Sequence, residues 1–134
     1  MAIPNGAGGY QVGDGNANEI LFAPSAIPTA YTAGVTLTTN DLAGGLVVYT
    51  SASTANLALP AVTGVNGVDA TFSSARVGSS FDISLIATST GVPTITVGTG
   101  WTLVGVGTGV ASKSVLFRAV KTGDATYNLY RIAG

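Results

Sequence analysis

The sequence of 134 residues contains no histidine and no cysteine. Without histidine it lacks the serine–histidine–aspartate triad and most zinc sites, and without cysteine it lacks thiol nucleophiles, thiolate metal sites and disulfides. The carboxylates do not suggest an acid–base pair: Asp82 points outward in a strand-like run, whereas Asp69 and Asp124 lie in turn-like sequence. We therefore predict that the protein is not an enzyme and uses no cofactor or metal.

Charge is also scarce in this sequence. Five basic and six acidic residues give a net charge of -1, and charged residues make up 8% of the chain, against about a quarter in ordinary soluble domains. A nucleic-acid-binding surface needs clustered cations that displace counterions from phosphates, but the five basic residues are scattered along the chain, so we expect no nucleic-acid partner. A surface with so few charges favours association, and we predict that other subunits cover much of it.

The sequence has no apolar run that is typical of a membrane helix. Residues 83–112 are uncharged, but serine, threonine, glycine and Pro93 interrupt them, so the ~20 consecutive apolar residues of a membrane helix are missing. No basic segment followed by an apolar stretch marks a signal peptide at the N-terminus. We expect a protein with no membrane partner, made in the cytoplasm.

Residues 1–30 differ from the rest of the chain. They are rich in glycine, contain Pro24 and Pro28, and keep neither a two-residue nor a 3.6-residue period. A solvated linker usually has few apolar anchors. This segment contains six apolar residues that we expect to dock on a neighbouring surface: Ile3, Tyr10, Val12, Ile20, Leu21 and Phe22. We predict an extended N-terminal arm, residues 1–30, followed by a separate domain, residues 31–134.

One stretch of the arm resembles a calcium loop, because Asp14, Asn16 and Asn18 occupy alternate positions. An EF-hand loop also requires glycine at its sixth position and glutamate at its twelfth, where this chain has Glu19 and Ser25. A phosphate loop is excluded as well. Gly8 and Gly13 have the spacing of the G-x-x-x-x-G motif, but Asp14 follows Gly13 where the motif requires lysine. Tight turns are the better interpretation, since Asn and Asp tolerate left-handed backbone.

The remaining sequence is typical of short β-strands. In residues 81–88, Phe81, Ile83, Leu85 and Ala87 alternate with mostly polar residues, and we expect these four to face the core. Residues 62–76 form either a long loop or one helical turn. The other strand-like runs are residues 35–39, 46–50, 55–60, 94–97, 101–104, 113–121 and 126–132. Such a pattern predicts an all-β domain, an antiparallel β-sandwich or small barrel of the jelly-roll type.

The last two runs flank the sequence Thr-Gly-Asp-Ala at residues 122–125. A Gly-Asp pair between apolar runs favours a tight hairpin, with the glycine at the positive φ of a type II′ turn. Residues 113–121 and 126–132 are therefore predicted to pair antiparallel. Arg118 could also pair with Asp82 across the sheet, as a structural ion pair.

Four aromatic residues of the C-terminal half have two interpretations: Trp101, Phe117, Tyr127 and Tyr130. The first places them in the core or in an oligomer interface, because aromatic side chains dominate packing energetics. The second is a platform on which host glycans stack, formed by Trp101 with Tyr127 or Tyr130.

Residues 79–132 resemble segments of small virion proteins of tailed phages, particularly marine and cyanobacterial phages. The shared pattern is F-D-x-S, then G-T-G-W-T-L-V-G, then a late F-R followed by T-G and Y-x-L-Y-R. The resemblance implies a head decoration (cement) protein on the capsid surface of the virion, a homotrimer that binds the phage major capsid protein between its subunits. The alternative is a tail-fibre or receptor-binding module that recognises a host surface glycan.

Overall fold

The computed structural model describes residues 27–134, which are predominantly β-strand, as predicted. The elements in chain order are β1 (Ala30–Tyr31), β2 (Val35–Thr36), α1 (Thr39–Gly44), β3 (Leu46–Tyr49), β4 (Ala55–Ala58), α2 (Val68–Thr71), β5 (Ser80–Ala87), β6 (Pro93–Thr96), β7 (Trp101–Val104), β8 (Ser114–Gly123) and β9 (Thr126–Ala133). The arm positions selected from the sequence, from Ile3 to Phe22, lie outside the described residues.

The strands form two sheets built from successive coils of the chain. The larger sheet has the order β1-β3-β5-β8-β9-β7 and the smaller the order β2-β4-β6. Three successive segments of the chain each contribute one strand to the larger sheet and one strand to the smaller. We call these segments the first coil (residues 30–36), the second coil (residues 46–58) and the third coil (residues 80–96). All strand pairs between coils are parallel, since each new strand is reached by a crossover connection.

The second and third coils keep one register through both sheets. Leu46 lies beside Ser84 in the larger sheet and Ala58 beside Thr96 in the smaller, both pairs being 38 positions apart in the chain. The first coil is shorter at its corner, because only Tyr31 to Val35 spans what the second coil covers from Tyr49 to Leu57.

Both sheets contribute side chains to one hydrophobic cluster. Ile83, Leu85 and Ala87 are buried, as predicted for alternate positions of β5. Phe81 is only half-buried at the margin, where its ring centroid lies 5.3 Å from that of Phe72. The cluster also includes Val47, Tyr49, Leu57, Ile95, Phe117, Tyr127 and Leu129.

The expected antiparallel architecture is wrong for most of the strand pairs. Of the strand pairs in residues 27–134, only β5–β8 and β8–β9 are antiparallel, whereas the other five are parallel. Alternation of apolar and polar residues has the same period of two in both kinds of sheet, so it does not reveal strand direction. The sheets are therefore mixed.

The C-terminal hairpin of β8 and β9 is confirmed, but its turn differs from the prediction. Gly123 pairs with Thr126, so Asp124 and Ala125 form the loop. A register shift between Lys121 and Gly123 moves the turn one residue along. The positive φ of 57° accordingly belongs to Ala125 and not to the glycine.

Two short helices fill the connections between coils. The α2 helix is the single helical turn that was one interpretation of residues 62–76. The α1 helix was not predicted. It begins after the N-cap residue Thr38. The Thr38 hydroxyl accepts a hydrogen bond from the Asp41 amide, and the Asp41 carboxylate accepts one from the Thr38 amide. The C-cap residue Gly45, whose φ is 73°, terminates the helix.

Close backbone contact at Gly107 predicts that a methyl group there is destabilising. The Ile95 amide donates to the Gly107 carbonyl at 2.9 Å, and a Cβ at Gly107 would collide with the Ile95 carbonyl oxygen. We expect Gly107→Ala to lower the free energy of unfolding by about 2 kcal/mol or more. Val106→Ala, at a 59% exposed neighbour, should change it by less than about 0.5 kcal/mol. Urea denaturation of both variants tests this, and equal effects would contradict the packing argument.

Two buried tyrosines provide a matched test of hydroxyl partners. The Tyr49 hydroxyl donates to the Ser53 carbonyl, whereas the Tyr127 hydroxyl has no hydrogen-bond partner among residues 27–134. Tyr49→Phe should therefore cost about 1 kcal/mol of unfolding free energy, but Tyr127→Phe should be neutral or stabilising. Thermal unfolding of the two variants measures the difference. A clear loss of stability in Tyr127→Phe would show that its hydroxyl has a partner.

Candidate interaction surface

The aromatic residues proposed as a glycan platform are mostly in the core. Trp101 is only 7% exposed, and its indole Nε1 donates to the Pro60 carbonyl at 2.8 Å. Phe117 and Tyr127 are each 1% exposed. Tyr130 alone reaches the surface in part, and its hydroxyl accepts a hydrogen bond from the Asn128 amide at 3.1 Å. Trp101 and Tyr127 consequently offer no open ring face on which a sugar could stack.

Two ion pairs involve charged residues of the larger sheet. Arg118 donates to both carboxylate oxygens of Asp82, at 2.8 and 3.2 Å, which confirms the predicted pair across β5 and β8. The hydrogen bond from Arg118 lowers the pKa of Asp82. Lys121 Nζ lies 2.9 Å from Asp69 Oδ1, and this hydrogen bond raises the pKa of Lys121. Both carboxylates are therefore held by basic partners.

Residues 27–134 contain no group of three or more acidic, histidine or cysteine residues that could hold a metal ion. The calcium-like positions Asp14, Asn16 and Asn18 lie outside this range. Within it, no helix is long and apolar enough to cross a membrane.

Two open clefts lie beside the helices, and no charged side chain among residues 27–134 lines either of them. The first, of about 500 Å³, adjoins the end of β2 and is lined by residues that include Leu37, Pro60 and Ala61. The second, of about 430 Å³, has the half-buried rings of Phe72 and Phe81 on its wall. Both clefts suit neutral groups.

The first coil presents two sheet edges side by side. β1 ends the larger sheet and β2 ends the smaller, and no other strand within residues 27–134 pairs with their outer edges. Toward the second coil, the Tyr31 carbonyl accepts from the Thr50 amide at 2.8 Å, and the Leu37 amide donates to the Ala58 carbonyl at 2.7 Å. Backbone amides and carbonyls of successive strand residues point to opposite sides of the strand, so the amide and carbonyl of Thr36 point away from the second coil.

The opposite edge of the smaller sheet is covered by the chain itself. Residues 107–109 lie along β6, where Gly107 accepts from Ile95 and the Gly109 amide donates to the Pro93 carbonyl at 2.7 Å. In the larger sheet, β8 covers the third coil, and β7 ends the sheet on its far side. Within the described residues, the first coil is thus the place where both sheets end together.

Apolar side chains lie exposed near this double edge. Ile27 is 90% exposed just before β1, and Val35 in β2 is 37% exposed. Leu46, at the start of the second coil, is 41% exposed. An unpaired edge beside exposed apolar side chains is typical of a surface that binds another protein chain.

A buried carboxylate fixes the first coil to α1. The Tyr31 hydroxyl donates to Asp41 Oδ2 at 2.6 Å, and the Thr38 amide donates to the same oxygen at 2.9 Å. Asp41 is only 8% exposed. Burial and the contact with Asp41 raise the pKa of Tyr31 to about 12. This network holds the edge strand β1 in place even though β1 has only two residues.

No family model, curated protein or solved structure matches this chain.

The Tyr31–Asp41 contact predicts an alkaline loss of stability. In the unfolded chain Tyr31 ionises near its ordinary pKa of 10.0, but in the folded protein its pKa is about 12. Its contribution is fully present below pH 10 and is lost as the pH rises to 12. Tyr31→Phe should be less stable at neutral pH by about 1 to 3 kcal/mol and show a shallower decline above pH 10. Denaturant unfolding at several pH values tests this.

The remaining alkaline decline in that variant is assigned to Tyr127 and Lys121, whose pKa values are also raised. Asp41→Asn removes the negative charge beside Tyr31 and should likewise flatten the curve. An alkaline profile of Tyr31→Phe that runs parallel to that of the unsubstituted protein would contradict the assignment.

Proposed function

We propose that the protein is a phage capsid decoration protein that binds between major capsid subunits and stabilises the head. The observation that carries the proposal is the double edge of the first coil, with its outward backbone groups and exposed apolar neighbours, in a chain with only 8% charged residues. Such a surface fits protein rather than nucleic acid. In this proposal the two sheets form the layers of a sandwich, and three copies form a homotrimer on the capsid surface.

Stabilisation follows from binding alone. A protein that binds only the assembled shell shifts the equilibrium toward that shell by mass action. Repetition over the lattice lets modest contacts act together, since each bound copy raises the effective concentration of the next contact. No catalytic step is required, which agrees with the engagement of Asp41, Asp69 and Asp82 in hydrogen bonds and ion pairs.

The arm provides the second contact in this proposal. Tyr10, Val12 and the run Ile20–Phe22 are apolar anchors in a charge-poor, glycine-rich segment. Glycine permits close approach of the arm backbone to a partner, and the apolar side chains fill pockets on a capsid subunit or on an adjacent trimer. In this proposal the protein is made in the host cytoplasm and is incorporated into the virion at the capsid surface.

Imaging of the virion tests the proposed location. Cryo-electron microscopy of particles from the phage that encodes this chain should show its density on the head at three-fold positions. Particles that lack the protein should lose that density and release their DNA at a lower temperature, and added purified protein should restore both. Density on the tail alone would contradict decoration and favour the receptor-binding alternative.

A further inference from the structure

We infer that the second cleft binds a phenolic ring whose hydroxyl pairs with the buried hydroxyl of Tyr127. The cleft, of about 430 Å³, lies among α1, α2 and the start of β5, since Leu42, Thr71 and Ser80 line it. All of its lining residues lie within residues 27–134. This site is additional to the decoration role and does not depend on it.

The Tyr127 hydroxyl lacks the hydrogen bond that a buried polar group normally makes. Tyr127 lines the cleft although it is only 1% exposed, and its hydroxyl has no partner among residues 27–134. Two other buried aromatic side chains have partners: Tyr49 donates to the Ser53 carbonyl and Trp101 to the Pro60 carbonyl. An unpaired buried polar group is costly, so a ligand that supplies the missing partner gains affinity.

A row of aromatic rings connects Tyr127 to the open side of the cleft. The Tyr127 ring centroid lies 6.3 Å from that of Phe81 in an edge contact, and the Phe81 centroid lies 5.3 Å from that of Phe72. Phe72 and Phe81 are half-buried, whereas Trp101, which packs on the other side of Tyr127, is buried. Aromatic rings favour offset and edge contacts with other rings. An aromatic ligand therefore extends this row at its open end.

The polar groups of the cleft favour a neutral ligand with a hydroxyl. No charged side chain among residues 27–134 lines it, and Lys121, 5.8 Å from the Tyr127 ring centroid, is held by Asp69 at 2.9 Å. A tyrosine hydroxyl both donates and accepts hydrogen bonds. A phenol hydroxyl does the same, so it can pair with Tyr127 in either direction. The other polar side chains of the cleft all carry hydroxyls: Thr71, Ser74, Ser79 and Ser80.

Two probes that differ by one hydroxyl, 4-methylphenol and toluene, test the pairing by nuclear magnetic resonance titration of the full-length protein. In Tyr127→Phe the affinity for 4-methylphenol relative to toluene should fall about fivefold, because one hydrogen bond is lost while the ring contacts remain. The variant should stay folded, since its hydroxyl has no partner among residues 27–134. An unchanged ratio of the two affinities would overturn the inference.

Two phenylalanine substitutions test the location of the bound ring. Ala43 is an exposed alanine that lines the cleft, and Ala52 is an exposed alanine that lines neither cleft. Ala43→Phe should fill the cleft and abolish binding of 4-methylphenol, whereas Ala52→Phe should bind it as the unsubstituted protein does. Binding that survives in Ala43→Phe, or no saturable binding by the unsubstituted protein, would overturn the inference.

A third probe distinguishes two sources of the phenolic ring. N-acetyltyrosine amide carries this ring on a peptide backbone, as a tyrosine of a partner protein does. Binding as tight as that of 4-methylphenol would support the site as a pocket for a tyrosine side chain. Exclusion of this probe while 4-methylphenol binds would support the site as one for a free phenolic compound. The position of the protein on the virion remains a separate test of decoration.

Discussion

The in-register stacking of the second coil on the third is the constraint on which the rest of the structure depends. One offset of 38 positions relates the two coils in both sheets, from Leu46 beside Ser84 to Ala58 beside Thr96. A slip of one residue would turn Val47 and Leu57 from the core to the opposite face. The stacked pairs Val47 with Leu85 and Leu57 with Ile95 therefore hold the register through burial. β8 and residues 107–109 then cover the third coil, whereas the first coil is the open end within the part of the chain that the structure describes.

Sequence patterns predicted the strands but not their arrangement. Alternation located β5 and its buried positions Ile83 and Leu85, and the final hairpin, because both are local features. The parallel coils were missed since the two stacked segments match in residue type only at scattered positions, such as Val48 with Ile86 and Thr50 with Thr88. The α1 helix had a local signal that went unused: threonine at 38, aspartate three residues later and glycine at 45 form its caps.

The candidate surface was still harder to predict. One interpretation of the aromatic residues was a platform for glycan stacking. In the structure, the ring centroids of Trp101 and Tyr127 lie 5.2 Å apart within the core. Aromatic identity does not distinguish burial from exposure in a chain where apolar residues make up 46%. Whether β2 ends a sheet is a property of the topology and not of Val35 and Thr36 themselves. The Tyr31–Asp41 hydrogen bond joins residues of two different elements, so no local sequence pattern predicts it.

The two ends of the stack of coils differ, and this difference constrains how copies can assemble. Among residues 27–134, one end is covered by the chain and the other is a pair of sheet edges, so a contact between these edges and a different surface of a second copy is heterologous. Heterologous contacts generate rings when the rotation closes and filaments when it does not. Edge strands of two residues, as in β1 and β2, offer few main-chain hydrogen bonds, which protects a free copy from uncontrolled pairing. In the proposed decoration role, closure would come from the three-fold symmetry of the shell, and the apolar anchors of the arm would supply the affinity that such short edges lack.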